Sequence, residues 1–361
     1  MELGQPLILR DDVEVEHPRA GEVKVAMAAT GVCHSDLSIR DGILPIPLPA
    51  VLGHEGAGII EEVGGGVQGL SPGDHVVISW VPQCGACFFC GRGQSQLCVE
   101  ADAVLFSGGL LDGTPRLRMD GADLFQMEGV GTFSESTVIP ATGAIKVPED
   151  LDLSVAALLG CAVLTGVGAA LNTARVRPGD SVVVAGCGGV GLNVIQGARM
   201  AGADQIIAVD LHPAKLDLAR VMGATASVNA ANGDPVAAVR DLTEQRGVDV
   251  AFEAIGSTAT IHQVIDMTRR GGQAVLVGIP GLDSMLSLPT LLGVILAERS
   301  ISGCWLGSSD VRRDIPHLID RYRAGDLLLD ELISQRIGLD QVNEAFRAMS
   351  AGEVARSVIV Y

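Results

Sequence analysis

Apolar and polar positions alternate in short runs through roughly the first 150 residues. The segments EVKVAMAATGV (22–32), GAGIIEEVG (56–64) and DHVVISWV (74–81) carry the period of two that places one face of a strand in a core. Proline and glycine break these runs at ILPIPLPAVLGHEG and GLSPGD, where turns are predicted. The pattern predicts an antiparallel, barrel-like domain with long loops. From Asp180 onward the texture changes. Apolar runs at 181–186, 205–210, 227–229, 248–256 and 273–280 alternate with helical segments such as VGLNVIQGARMAG and PAKLDLARVMG. That alternation predicts an α/β unit with a doubly wound parallel sheet. It ends near Ser302. Amphipathic helices over 312–324 and 339–351 and a strand over 357–361 are expected to return to the first domain.

One stretch, 153–171, carries no charge over nineteen residues and meets the length rule for a membrane span. It is built mostly of Ala, Gly, Val and Leu with no basic cluster close behind, so a buried helix at a domain junction is expected and no membrane.

A length of 361 residues accommodates two domains with ample cores. The formal net charge of −18 argues against nucleic acid and anionic membranes as partners. The first residues are acidic, with no basic region or long apolar run, and do not read as a signal peptide. Thiols without a secretion signal point to a reducing cytoplasm.

Cys84, Cys87, Cys90 and Cys98 follow the spacing C-x2-C-x2-C-x7-C. Four thiolates this close repel one another unless a cation holds them, and tetrahedral Zn²⁺ suits them. With four thiolates the coordination is complete, so this zinc is structural. A second constellation is Gly186-Cys187-Gly188-Gly189-Val190-Gly191, between an apolar strand and a helix. Asp210 ends the next strand nineteen residues later. The glycines admit a pyrophosphate to the helix N-terminus, and Asp210 would bind the adenosine ribose hydroxyls and repel a 2′-phosphate. NAD is the expected cofactor. Lys215 stands where it could also reach the ribose.

Cys33, His54 and Cys161 are scattered, and each alone reads as an ordinary core residue. Yet GVCHSD, GHEGAG, the four-cysteine lobe and the GxGxxG-plus-Asp unit occur here in one order. Together they resemble the zinc-dependent medium-chain alcohol dehydrogenases, over essentially the whole chain, in the liver-type and class III-like branch. The resemblance implies a GroES-like β-barrel catalytic domain (1–162 and 303–361, with the structural zinc lobe at 84–98) and a Rossmann NAD-binding domain (163–302). It implies a second, catalytic zinc on Cys33, His54 and Cys161. Glu55 matches the nearby carboxylate that can approach that metal, and Asp36 the acid that orients the histidine. Ser35 matches the hydroxyl that hydrogen-bonds the alcohol, Thr165 a threonine packed on the nicotinamide, and Arg356 a basic residue that reaches the pyrophosphate. His34 falls where liver-type members often carry an arginine near that pyrophosphate. A long middle loop over 99–132 resembles the dimeric members. The apolar segment 285–298 matches a region that pairs across a dimer, so a homodimer is expected, with a homotetramer as the alternative.

The activity implied is NAD-dependent oxidation of an alcohol to an aldehyde or ketone, and the reverse. Leu44, Trp80 and Ile279 would line an apolar pocket suited to a primary aliphatic or aromatic alcohol. Two departures matter. Ser38 stands where many relatives end a proton relay in histidine. Leu44 and Asp102 stand where glutathione-dependent formaldehyde dehydrogenases place an acid and an arginine, which argues against a glutathione conjugate. Three alternatives remain: an enzyme that holds NAD permanently and uses an external acceptor, a different thiol-adduct formaldehyde dehydrogenase, and a non-catalytic zinc- and nucleotide-binding protein.

Overall fold

The structure, a computed structural model, describes residues 3–361; Met1 and Glu2, at which the expected first domain starts, lie outside the described residues. The chain forms two compact units. The first comprises the residues up to Cys161 with Asp310–Ala324 and Leu329–Tyr361; the second comprises Ala162–Ser309 and Gly325–Leu328.

The first unit is organised by the strand Glu22–Val32, whose Val23 and Val25 are fully buried. It pairs antiparallel with Glu55–Val63 along its length, with Ser136–Pro140 at its start and with Arg356–Val360 at its end. The sheet runs Ile333–Ile337, Arg356–Val360, Glu22–Val32, Glu55–Val63, His75–Ile78, Ala144–Lys146. Gly58 permits the close approach of the two longest strands, because a side chain there would run into the carbonyl of Ala26. The expected all-antiparallel pattern fails at two places. Ile333–Ile337 pairs with Arg356–Val360, and Ala50–Val51 with the strand Ala122–Gln126, in parallel. The first pair is joined through the helix Val342–Ser350, the crossover that parallel neighbours need, and the second joins segments far apart in the chain, where no hairpin fixes direction.

The long 99–132 segment is not structureless. It contains the helix Val99–Leu105 and a hairpin, Leu117–Met119 with Ala122–Gln126. Asp120 and Gly121 turn that hairpin at φ 53° and 75°, the positive values a two-residue turn of this hand requires. Inside it lies a fully buried guanidinium. Arg116 donates from Nε to Glu22 (2.9 Å) and from Nη2 to Asp112 (2.8 Å). A core of Val32, Leu37, Leu52, Met127, Phe133, Phe346 and Ile359 closes this unit.

The second unit is the expected parallel sheet. Its order is Ala226–Asn229, Gln205–Asp210, Ser181–Ala185, Val248–Glu253, Thr268–Leu276, Ser300–Gly303, with every neighbouring pair parallel. The central strands are buried on both faces, which is why they read as continuous apolar runs. This unit is longer than the expected 163–302. Ser300–Gly303 completes the sheet, and the turn Leu306–Ser308 follows it, with the side-chain amide of Asn172 donating to Gly307 O (3.3 Å). The chain therefore leaves at Asp310. It returns at 325–328 because Gln196 holds both the amide and the carbonyl of Leu328, at 2.7 and 3.0 Å.

The uncharged 153–171 stretch is two helical segments, Leu153–Gly160 and Ala162–Ala174, bent by 52° at Cys161. Among the described residues no single helix is long and apolar enough to cross a membrane. Val155 through Ala170 are buried in the protein itself.

Candidate active site

Cys33 directly follows the central strand of the first unit and caps the short helix His34–Arg40. Its backbone amide donates to Asp36 Oδ2 (2.8 Å), which fixes the turn that presents its sulfur. The other oxygen of Asp36 accepts from Gly53 N (3.1 Å) and lies 3.0 Å from His54 Nδ1. A carboxylate only accepts, so Nδ1 carries a proton, and Nε2 is the nitrogen a metal would take. Cys161 enters at the break between the two buried helical segments, with φ −141° and ψ −79°.

The ligand atoms of Cys33, His54 and Cys161 all lie within 4.8 Å of one another, and all three residues are buried. The two thiols compete for one proton. Their mutual hydrogen bond holds Cys33 well below the usual thiol range and pushes Cys161 well above it. Burial would lower His54, but the charges of Asp36, Glu128 and Cys161 outweigh it and hold the ring well above its ordinary value. Two buried sulfurs and one imidazole converging this closely fit Zn²⁺, with one position left for substrate.

Ser35 Oγ lies 3.9 Å from Cys33 Sγ, which puts a hydroxyl beside the ligand set. Trp80, buried, meets the His54 ring edge-on at 6.3 Å between centroids. Leu44 packs against the Phe133–Phe346 core of the same unit. His34 is exposed. Glu55 is fully buried, and its Oε2 lies 3.2 Å from Nε of Arg356. Arg356 also donates from Nη1 to Val32 O (3.0 Å), so its side chain is held within this unit beside Cys33.

One residue of this site was not anticipated from the sequence. Glu128 follows Met127 in a tight turn at φ 52°, ψ 28°. Burial pushes its carboxyl up to about 7, with His54 opposing and Asp36 and Cys33 reinforcing the shift. The available signal was a lone acid in the otherwise uncharged run LFQMEGVGTF.

The four-cysteine lobe is also assembled. Cys84 and Cys90 sulfurs are 4.0 Å apart, and those of Cys87 and Cys98 are 3.9 Å apart. A disulfide needs about 2.05 Å, whereas a tetrahedron with Zn–S arms of about 2.3 Å has edges of about 3.8 Å. The cage fits zinc. Amides of Ala86 and Cys87 donate to Cys84 Sγ (3.4 and 3.3 Å), and Gly85 takes φ 77° to make that turn.

In the second unit, Gly186 takes φ 94° at the end of the strand Ser181–Ala185. A side chain on Gly191 would collide with the carbonyl of Gly186, so the helix Gly189–Met200 packs tightly on the loop. A Cβ on Gly188 would meet nothing within 4 Å. That opening at the helix N-terminus is where a pyrophosphate fits. Asp210 stands over the loop, accepting from Cys187 N (2.8 Å) and His212 N (2.9 Å). Lys215 is half-buried on the helix Pro213–Met222, near enough to Cys187 for its charge to be felt there. Thr165 is buried on Ala162–Gly168, and Ile279 is 47% exposed beyond the fifth strand.

Comparison with known proteins agrees with these two sites. The alcohol dehydrogenase GroES-like domain matches residues 19–149, and the zinc-binding dehydrogenase domain matches 189–323. The chain is 40% identical to S-(hydroxymethyl)glutathione dehydrogenase of Synechocystis sp., over 100% of this chain and 98% of that one. It is also 40% identical to class-3 alcohol dehydrogenase of Drosophila melanogaster, over 100% and 96%. The crystal structure of benzyl alcohol dehydrogenase from Acinetobacter calcoaceticus superimposes with a TM-score of 0.90 at 35% identity, covering 96% of this chain and 94% of that one. Similarity along the whole chain, with both cysteine sites formed, makes this protein a member of the zinc-dependent medium-chain alcohol dehydrogenase family, in its class III-like branch.

Proposed function

We propose that the protein oxidises a primary alcohol to its aldehyde with NAD⁺, and runs the reverse reduction, in the cytoplasm. The observation that carries this reading is the Cys33–His54–Cys161 triad, whose three protein ligands leave a tetrahedral ion one open position. Zinc held there supplies Lewis acidity that lowers the pKa of an alcohol oxygen by several units. NAD⁺ on the Gly186–Gly191 loop supplies the hydride acceptor. The chain's own groups do the rest. Asp36 fixes the His54 tautomer. Ser35 would accept a hydrogen bond from the alcohol hydroxyl and, as it takes that proton, release its own outward to solvent. Asp210, already oriented by two backbone amides, selects a cofactor without a 2′-phosphate.

A second reading is favoured by the names of the relatives, several of which are S-(hydroxymethyl)glutathione dehydrogenases. Against it stands Asp102, an exposed acid where that substrate calls for a cation. Zinc-loaded protein should produce NADH from primary alcohols without added thiol. Turnover seen only with formaldehyde plus glutathione or another small thiol would install the second reading.

We further propose a homodimer, with a homotetramer as the alternative. Met285, Leu291, Leu292 and Ile295 are 82, 59, 71 and 59% exposed, close in sequence to the sheet's edge strand Ser300–Gly303. A second copy pairing at this edge would cover them. A monomer by light scattering at micromolar concentration would contradict it.

A further inference from the structure

The acids around the Cys33–His54–Cys161 site differ in one respect. Asp36 is matched by the amides of Cys33 and Gly53 and by the His54 ring. Glu55 has its charge balanced by Arg356, which donates to its Oε1 (3.4 Å) and faces its Oε2 at 3.2 Å without hydrogen-bond geometry. Glu128 Oε2 is buried and has no hydrogen-bond partner among the described residues. The charges of His54, Asp36 and Cys33 are felt at its carboxyl, so it stands near the ligand set.

Two unfavourable features coincide at this residue. A non-glycine residue with φ 52° carries about 1 kcal/mol or more of backbone strain. A buried carboxylate oxygen without a donor costs more than a neutral polar group would. Neither helps the turn fold: Met127 on one side is in the core, and Gly129 on the other takes φ 67°. A small apolar residue or a glycine at 128 would serve the fold better. Charge balance leads to the same place. Two thiolates neutralise Zn²⁺ and Glu55 is balanced by Arg356, which leaves Glu128 beside the like charge of Asp36. A molecule entering the site with a donor group would supply what the surrounding side chains do not.

We propose that Glu128 is a specificity-determining residue that accepts a hydrogen bond from a donor group, an ammonium or a second hydroxyl, carried by the alcohol substrate. This rests on the alcohol dehydrogenase reading above and narrows it. Beside the apolar Leu44 and Trp80, the substrate then meets one acid. The pocket takes amino alcohols or diols ahead of plain alcohols, and it disfavours anionic substrates, because an added carboxylate would face Glu128.

The test compares butanol, butanediol and aminobutanol, with shorter and longer homologues, on zinc-loaded enzyme with NAD⁺. The variants are Glu128→Gln and Glu128→Leu, and calorimetric binding of aminobutanol to the zinc- and NAD-loaded enzyme is measured in parallel. In the wild type a donor-bearing alcohol should exceed its plain counterpart in kcat/KM by about tenfold or more, the scale of a hydrogen-bonding site facing a molecule that lacks the group. Glu128→Leu should reverse that order and weaken aminobutanol binding to a similar degree. Glu128→Gln should lose the ammonium preference while keeping part of the hydroxyl preference, which separates the two donor sources. If alcohols are oxidised but neither ranking nor binding depends on residue 128, the inference is overturned. If the wild type binds no donor-bearing alcohol, it is overturned whatever the activity. If nothing is oxidised yet binding still depends on Glu128, the reaction reading fails and the inference stands.

Discussion

Arg356 Nε and Glu55 Oε2 face each other at 3.2 Å, with the two residues 5 and 0% exposed. Arg356 comes from the strand 356–360 and Glu55 from the strand that follows His54, so the pair ties distant parts of the chain together beside the Cys33 thiolate. Removing one member of a buried pair strands the other charge. Glu55→Ala or Arg356→Met alone should cost about 3–5 kcal/mol in denaturant unfolding, and the double variant less than the sum. Additive costs would mean the pair does not act as one.

The four-cysteine lobe should fail separately from the catalytic triad. Cys87→Ser should lower the zinc content from two to one per chain and depress Tm. Activity should be lost only as the protein unfolds. Amides of Cys90 and Val99 hold the Cys87 thiol at about 6. Its folded value is depressed, so the thiolate persists at neutral pH and is lost as pH falls through about 6. Zinc uptake by metal-stripped protein should therefore slow on acidification through that value, as a chromogenic chelator can follow. An uptake rate insensitive to pH between 5 and 7, about one unit to either side, would contradict this.

Asp210 has a double task in the nucleotide loop, because it holds Cys187 N and His212 N besides selecting the cofactor. Asp210→Ser should shift the NAD-to-NADP ratio of kcat/KM toward NADP by about tenfold or more. It should also weaken NAD binding through the loosened loop. An unchanged ratio would move cofactor selection to another residue.

Arg116 makes acid sensitivity predictable. Burial pushes Asp112 up, but hydrogen bonds from Arg116 and Thr114 outweigh it and hold the carboxyl well below its ordinary 3.8. A depressed carboxyl contributes stability in full above its unfolded pKa, and that contribution is lost as pH falls below about 4. Asp112→Asn should flatten the acid limb of the stability profile below that pH while leaving neutral stability lower. Arg116→Leu, which strands Glu22, should cost about 3–5 kcal/mol at neutral pH. A wild-type acid limb in Asp112→Asn would show that other carboxylates dominate.

The features most legible in the sequence were those whose parts lie close together. Cys84 to Cys98 and Gly186 to Asp210 each declare themselves within one or two elements, because ligand spacing and strand–turn–helix rhythm are local. Cys33, His54 and Cys161 could be united only by family resemblance, since their meeting depends on a sheet register and on a helix break far along the chain. The parallel pairing of Ala50–Val51 with Ala122–Gln126 escaped for the same reason, whereas that of Ile333–Ile337 with Arg356–Val360 follows from the helix between them. Glu128 was missed because its distinction is tertiary: an acid in a turn is commonplace until its surroundings are seen to offer no donor.

The strand Arg356–Val360 is an interior member of its sheet, between Ile333–Ile337 and Glu22–Val32. During synthesis the whole nucleotide-binding unit leaves the ribosome before this strand does, and can fold while the other unit still has an open seam. The metal-binding half of the enzyme is therefore completed late. A chain stopped short of 356 would present the bare edge of Glu22–Val32 to other chains and deprive Glu55 of Arg356. Nascent or truncated protein should thus be recognised and cleared through its metal-binding unit, even where the nucleotide-binding unit is already sound.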